Sequence, residues 1–193
     1  MRKLIGSICV LLGVLCIFGS VSVIVYNRWE DKKAEDAVHS ILENVKSVMD
    51  GNCPEQENTE MVTVKVDDYE CIGVLSIPVL NLELPVLTDW SYDKLKKAPC
   101  HYYGSYNEKD FVIAAHNYNA HFGRLSELQA GDKVIFTDAK GTARYYDVVI
   151  METLPPKATK EMITSGFDLS LYTCTSGGAS RVTVRCTLSE NQQ

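Results

Sequence analysis

Apolar residues follow different rhythms in successive parts of this chain. Residues 4–26 (LIGSICVLLGVLCIFGSVSVIVY) contain no charge. A helix of that length is about 34 Å long, enough to cross a hydrocarbon core of roughly 30 Å. A signal peptide fits less well: the run is too long for an h-region, and no clear small-x-small cleavage site follows. Residues 1–29 are therefore expected to be a retained, single-pass membrane anchor. Residues 30–49 switch to a helical period. Ala34, Val38, Ile41, Val45 and Val48 line one stripe, with Ala37, Leu42 and Met49 beside it. Asp50-Gly51-Asn52 suits the end of that amphipathic helix. A spacer packed on the following domain is its expected role, and a regulatory or docking helix the alternative. Residues 51–60 (GNCPEQENTE) read as a link, so that 30–60 forms a connecting unit.

From Met61 onward the period shortens to that of strands. Short β-rich runs occur at 71–77, 84–88, 111–116, 133–137 and 143–151, and a final pair at 168–174 and 181–188. Gly131-Asp132 and Ala139-Lys140-Gly141 punctuate them as turns. Short helical pieces are expected at 91–97, about 120–128 and about 157–164. Many short strands with few helices predict a mainly β domain, a closed or nearly closed barrel, over residues 61–193.

Composition narrows the function classes. The formal net charge is −6, which argues against nucleic acid as a partner. The positive-inside count does not orient the anchor, because Arg2 and Lys3 precede it while Arg28, Lys32 and Lys33 follow. The chain has seven cysteines. Cys9 and Cys16 fall in the apolar run as small apolar residues. Cys53, Cys71, Cys100 and Cys186 are either reduced buried thiols or disulfide partners, and spacing does not pair them. No CxxC or His/Cys cluster suggests zinc.

The seventh cysteine carries the candidate chemistry. In LSLYTCTSGGASRVTVRC, residues 169–186, alternation puts Leu169, Leu171 and Thr173 on one face, and Ser170, Tyr172 and Cys174 on the other. In the next strand Val182, Val184 and Cys186 form the apolar face, and Arg181, Thr183 and Arg185 the polar one. TSGGAS tolerates a tight turn. If Cys174 and Arg181 pair across the ladder, their Cβ atoms lie roughly 5 Å apart. A thiol has a pKa near ~8.5, and a neighbouring cation favours the nucleophilic thiolate. Arginine also offers forked donors to a carbonyl or oxyanion. His116, ending the apolar run FVIAAH, is the candidate histidine that nucleophilic cysteine chemistry requires.

Taken in order, these segments resemble a sortase, the cysteine transpeptidase of Gram-positive cell surfaces. IGVLSIPVLNLELPVL is similar to the family's opening strand pair, and CHYYGSYNEKDFVIAAHN to the segment that leads to its catalytic histidine. HFGRLSELQAGDKVIF resembles the stretch after it. SLYTC resembles T-L-x-T-C, with Ser170 where Thr is usual, and RVTVRCTL the strand opened by the catalytic arginine. Two departures stand out: the Cys174–Arg181 loop is short, and Ala115 replaces a common Gly. The resemblance covers roughly residues 70–188 and implies a closed eight-stranded barrel.

It further implies that Cys174 is the nucleophile, His116 the proton donor and acceptor, and Arg181 the oxyanion and substrate stabiliser. Arg185, on the same face, is the rival for that last role and a substrate contact, and Thr173 is a contact to the sorting peptide. The implied reaction cleaves an LPxTG-like sorting signal through a thioacyl-enzyme and transfers the surface protein to an amine on a peptidoglycan precursor or a pilin. The implied location is the cell membrane with the catalytic domain outside. With no second apolar span after residue 188, the pilin-polymerising subclass with a C-terminal anchor is not expected. No cofactor is expected; calcium, which some sortases bind, is the alternative to a solvated turn at Glu108 and Asp110. The competing classes are another cysteine peptidase or transpeptidase and a non-catalytic binding module. An L,D-transpeptidase would need a Ser/Thr-His-Gly-Cys motif, which the chain lacks.

Overall fold

The computed structural model describes residues 2–51 and 61–190. Of the expected link at 51–60, residues 52–60, which include Cys53, lie outside the described residues, as do residues 191–193.

The apolar run and the amphipathic stretch are one unbroken helix, α1 (Arg2–Gly51). Nothing in residues 26–30 breaks it, since YNRWE contains neither Gly nor Pro. Its first half exposes Val10, Leu11, Leu15, Ile17 and Phe18. From Gly6 on, the helix is long and apolar enough to cross a membrane. Its second half buries the predicted stripe. Ala34, Val38, Ile41 and Val45 are all under a tenth exposed, whereas Val48 faces solvent.

Nine strands follow: β1 (Val64–Val66), β2 (Tyr69–Ile77), β3 (Leu82–Leu87), β4 (Cys100–Tyr103), β5 (Phe111–Ala114), β6 (Lys133–Asp138), β7 (Ala143–Leu154), β8 (Leu169–Cys174) and β9 (Arg181–Leu188). They form one sheet in the order β1-β2-β3-β4-β5-β8-β9-β7-β6, and β6 pairs back onto β2. Strands β2 to β9 thus close an eight-stranded barrel, and β1 adds a short hairpin arm on β2. The pairs β3–β4 and β5–β8 are parallel and the rest antiparallel. Of the expected helices, 91–97 shrinks to α2 (Tyr92–Leu95), where the Ser91 side chain accepts from the Lys94 N–H. The expected helix near 120–128 is only a 3-10 turn at Leu125–Glu127. The segment 157–164 contains α3 (Thr159–Ile163).

Two cores explain the strand patterns. Ile72, Leu75, Leu84, Phe111, Ile113, Phe136, Leu171 and Val184 fill the barrel. Ile41 and Val45 of α1 pack with Val64, Cys71, Val74, Leu87 and Cys100 on its outer wall. Strand β2 is buried on both faces, so CIGVLSI reads as a nearly continuous apolar run rather than an alternating one. Gly73 has φ +153 at the point where the β2–β3 register shifts, and a Cβ there would collide with the Thr137 carbonyl of β6. Closure of the barrel at that point requires glycine.

Candidate active site

Strands β8 and β9 pair with Cys174 directly opposite Arg181. Parity is as predicted: Leu169, Leu171 and Thr173 oppose Cys186, Val184 and Val182, and Ser170, Tyr172 and Cys174 oppose Arg185, Thr183 and Arg181. The connection uses Gly177 (φ +81) and Gly178 (φ +72), conformations that suit glycine in a tight turn. Thr175 fastens the turn, its N–H donating to the Ser180 carbonyl at 3.0 Å and its hydroxyl accepting from the Ser180 N–H at 3.1 Å.

Strand β5 lies parallel to β8 and delivers His116 to the same end of the sheet. Ala114 pairs with Tyr172, and the Ala115 N–H donates to the Tyr172 carbonyl at 3.1 Å. His116, Cys174 and Arg181 then line a single pocket of about 180 Å³. One wall is apolar, built by Pro155, Pro156, Ala158 and Met162 from the β7–β8 connection. The other is aromatic, built by Trp90, Tyr92, Tyr102 and Tyr172. Trp90 meets Tyr102 at 5.7 Å between ring centroids, and Tyr102 meets Tyr172 edge-on at 5.3 Å.

Exposure separates Cys174 from the cysteines of the barrel cores. Burial pushes the thiols of Cys71, Cys100 and Cys186 up to about 12 each. They are free thiols packed in the cores. Cys174 is half-buried and opens into the pocket. Burial also lowers the His116 pKa, the Lys96 charge lowers it further, and Glu30 opposes them. A neutral imidazole is therefore favoured. Its Nε2 is buried with no hydrogen-bond partner among the described residues. Arg181 donates through Nη1 to the carbonyls of Gly178 and Ser180, both at 3.2 Å, which leaves its other donors unengaged among the described residues. A thiol, an imidazole and a guanidinium around one cleft are groups that acyl transfer through a thioester can use.

Two residues read from the sequence as substrate contacts are placed elsewhere. Thr173 points into the barrel and is 3% exposed. Arg185 is 2% exposed and saturated: Nε donates to Glu152 Oε1 at 2.7 Å, Nη1 to Ser170 Oγ at 2.8 Å, and Nη2 to the Glu161 carbonyl at 2.7 Å. Neither lines the pocket. Strand parity put Arg185 on the outer face, but the β7–β8 connection covers that face at its position.

His121 is wholly buried, and its pKa is lowered to about 4, chiefly by burial. His101 bridges the carbonyls of Thr88 and Gly104 through its two ring nitrogens, at 3.1 and 2.8 Å. Asp110 accepts from the backbone N–H groups of Ser165 and Gly166 and from the Ser165 hydroxyl, tying the β4–β5 turn to the β7–β8 connection. Among the described residues no group of three or more His, Cys, Asp or Glu is placed to hold a metal. The sequence reading missed the aromatic wall. Its only advance signal was Tyr172 on the polar face with Cys174.

Residues 75–189 match the Sortase family as a Sortase domain. Among known proteins, the chain is 25% identical over 137 residues to Sortase D of Bacillus subtilis (strain 168), covering 69% of this chain and 69% of that protein. Among solved structures, sortase E from Streptomyces avermitilis is 25% identical with a TM-score of 0.53, over 62% of this chain and 88% of that one. A Clostridium perfringens Sortase D5 transpeptidase shares the fold with a TM-score of 0.58 at 18% identity, over 82% of this chain and 99% of that one. The family match spans more than half the chain and contains the β5–β8–β9 pocket, and the chain belongs to the sortases, cysteine transpeptidases.

Proposed function

We propose that this sortase cleaves an LPxTG-like sorting signal with Cys174 as nucleophile, His116 as proton carrier and Arg181 as oxyanion stabiliser. The observation that carries the assignment is the shared pocket: the three groups arrive from three strands and converge on one cleft, in which Cys174 is the sole cysteine. The apolar wall of Pro155, Pro156, Ala158 and Met162 suits the leucine and proline of such a signal.

His116, neutral at the outset, takes the Cys174 thiol proton as the sulfur attacks the carbonyl carbon before the scissile bond, and the resulting oxyanion is held by Arg181. The tetrahedral adduct collapses to a thioester as His116 gives a proton to the leaving amine. An amine on a peptidoglycan precursor or a pilin then attacks the thioester, and His116 takes its proton. A new amide forms as the C–S bond breaks, and His116 passes the proton to the departing Cys174 sulfur. The first half of α1 is the membrane anchor, with Tyr26 and Trp29 at its outer end, where aromatic rings favour the interface. The barrel lies on the outer side, beside emerging substrates, where tethering raises local concentration.

The test uses the full chain in detergent micelles, mixed with a panel of LPxTG-type pentapeptides and amine acceptors, read by mass spectrometry. An acyl adduct on Cys174 and a transferred product are expected. Both should be absent in Cys174→Ala and strongly reduced in His116→Ala and Arg181→Ala. Turnover that survives His116→Ala or Arg181→Ala would overturn the assigned roles. Thiol-probe labelling of Cys71, Cys100 and Cys186 as fast as Cys174 would overturn the selective accessibility of the nucleophile.

A further inference from the structure

The membrane helix reaches the catalytic histidine. The uncharged run ends at Tyr26, and Glu30 and Asp31 follow it by about 6–8 Å along α1. Asp31 grips Asn119 with both carboxylate oxygens: Oδ1 accepts from the Asn119 backbone N–H and Oδ2 from its side-chain Nδ2, each at 2.7 Å. Beside it, Glu30 Oε2 accepts from the Tyr118 hydroxyl at 3.3 Å. Burial, and then the Glu30 charge, raise the Tyr118 pKa, so the phenol stays a donor.

Tyr118 and Asn119 belong to the tight loop that begins at His116. The Phe122 N–H donates to the His116 carbonyl at 3.1 Å, and the His121 and Gly123 N–H groups share the Tyr118 carbonyl at 2.9 and 2.8 Å. A Cβ on Gly123 would sit 2.6 Å from the Asn117 carbonyl oxygen, so the loop has no slack there. The Tyr118 ring lies between the rings of His116 and His121, at centroid distances of 5.1 and 5.4 Å. With Nε2 of His116 unbonded among the described residues, ring contact with Tyr118 is a principal constraint on the imidazole.

We propose that Glu30 and Asp31 are positioning residues for acyl transfer, so that the docked membrane helix sets the place of the His116 ring through Tyr118 and Asn119. The inference rests on His116 as the proton carrier. It gives the anchor helix a part in positioning the active site in addition to tethering the enzyme. The charges around His116 are Glu30 from α1, Lys96 after α2, His121 from its own loop, and Cys174 and Arg181 across the pocket.

The experiment compares full-length wild type with Glu30→Gln, Asp31→Ala, Asn119→Ala, Lys46→Ala and His116→Ala in detergent micelles. Lys46 pairs with Glu83 at 2.7 Å and holds the same helix to the barrel away from the pocket, so its variant is the control. Histidine ring signals are titrated by NMR, and kcat and KM are measured with a pentapeptide that wild type cleaves. Asp31→Ala and Asn119→Ala should lower kcat about tenfold to a hundredfold with KM little changed, the scale expected from a misplaced group. Glu30→Gln should move the His116 titration to lower pH, because the Glu30 charge that favours its protonation is gone. Lys46→Ala should do neither. Should Asp31→Ala fail to fold, Asn119→Ala removes the side-chain bond from the barrel side. Unchanged His116 titration and kcat in the Glu30, Asp31 and Asn119 variants, or the same losses in Lys46→Ala, would overturn the proposal while leaving the role of His116 intact. Full activity in His116→Ala would instead remove the reading on which it rests.

Discussion

Arg181 and Arg185 lie on the same strand and the same face, about 13 Å apart, yet they do opposite things. Arg185 is sealed under α3 with every nitrogen engaged, and it holds the Glu161 carbonyl and Glu152 in place. Arg181 stands at the strand's open end, half-buried, with donors free to face the cleft. Strand parity treats the two alike, although the glycine turn sets only Arg181 opposite Cys174. What separates them is the connection between β7 and β8. Its far part covers Arg185, and its near part, Pro155 to Thr159, forms a pocket wall beside Arg181. A buried, saturated guanidinium serves as scaffold for that wall, and an uncovered one is available to a substrate.

The comparison is sharpest under mutation. Arg181→Ala should reduce kcat/KM by about a thousandfold, roughly 4 kcal/mol of transition-state stabilisation, with little change in Tm. Equal activity in steady-state assays would erase the contrast from the Arg181 side. Arg185→Ala should do the reverse in kind. Leaving Glu152 and Ser170 without their partner should cost about 3 kcal/mol of stability, seen as a lower midpoint in urea unfolding. Activity should fall only as far as the Met162 wall shifts. An unfolding curve identical to wild type would show that Arg185 is not the scaffold.

The two histidines of the loop offer a parallel contrast with pH as the variable. His121 is fully enclosed and His116 opens to the pocket. Because the folded pKa of His121 is depressed to about 4, the unfolded chain takes up its proton first. Stability from this residue is complete above about 6.5 and is lost as pH falls toward about 4, by up to roughly 3 kcal/mol. His121→Gln, compared with wild type by Tm across that range, should flatten this part of the profile. The smallest effect is expected at Asp110, where Asp110→Ala releases the Ser165–Gly166 turn at a cost of about 1–2 kcal/mol in thermal unfolding.

Much of the site was legible before the fold was known. Period-two alternation fixed the faces of β8 and β9, and TSGGAS between them made Cys174 and Arg181 partners. His116 was legible only as the end of an apolar run, because its meeting with Cys174 depends on β5 lying parallel to β8. The expected helix near 120–128 was misread. Its apolar residues Phe122 and Leu125 are buried by a turn that folds back on His116 rather than by a helical face. Strand β4 escaped notice because CHYY shows no clear alternation, two of its residues being half-buried.

By itself, the sequence determined the local matters: an uncharged run long enough for a bilayer, an amphipathic stripe after it, strand parity and a glycine turn beside a thiol. These depend on periods of a few residues, which side-chain geometry imposes on any chain. Tertiary structure decided the rest. It fused the two helical segments into one rod, laid Glu30 and Asp31 on the histidine loop, enclosed Arg185 and left Arg181 open. Each of those outcomes depends on residues tens of positions apart meeting in space. A local pattern carries no record of which surfaces the closed barrel brings together.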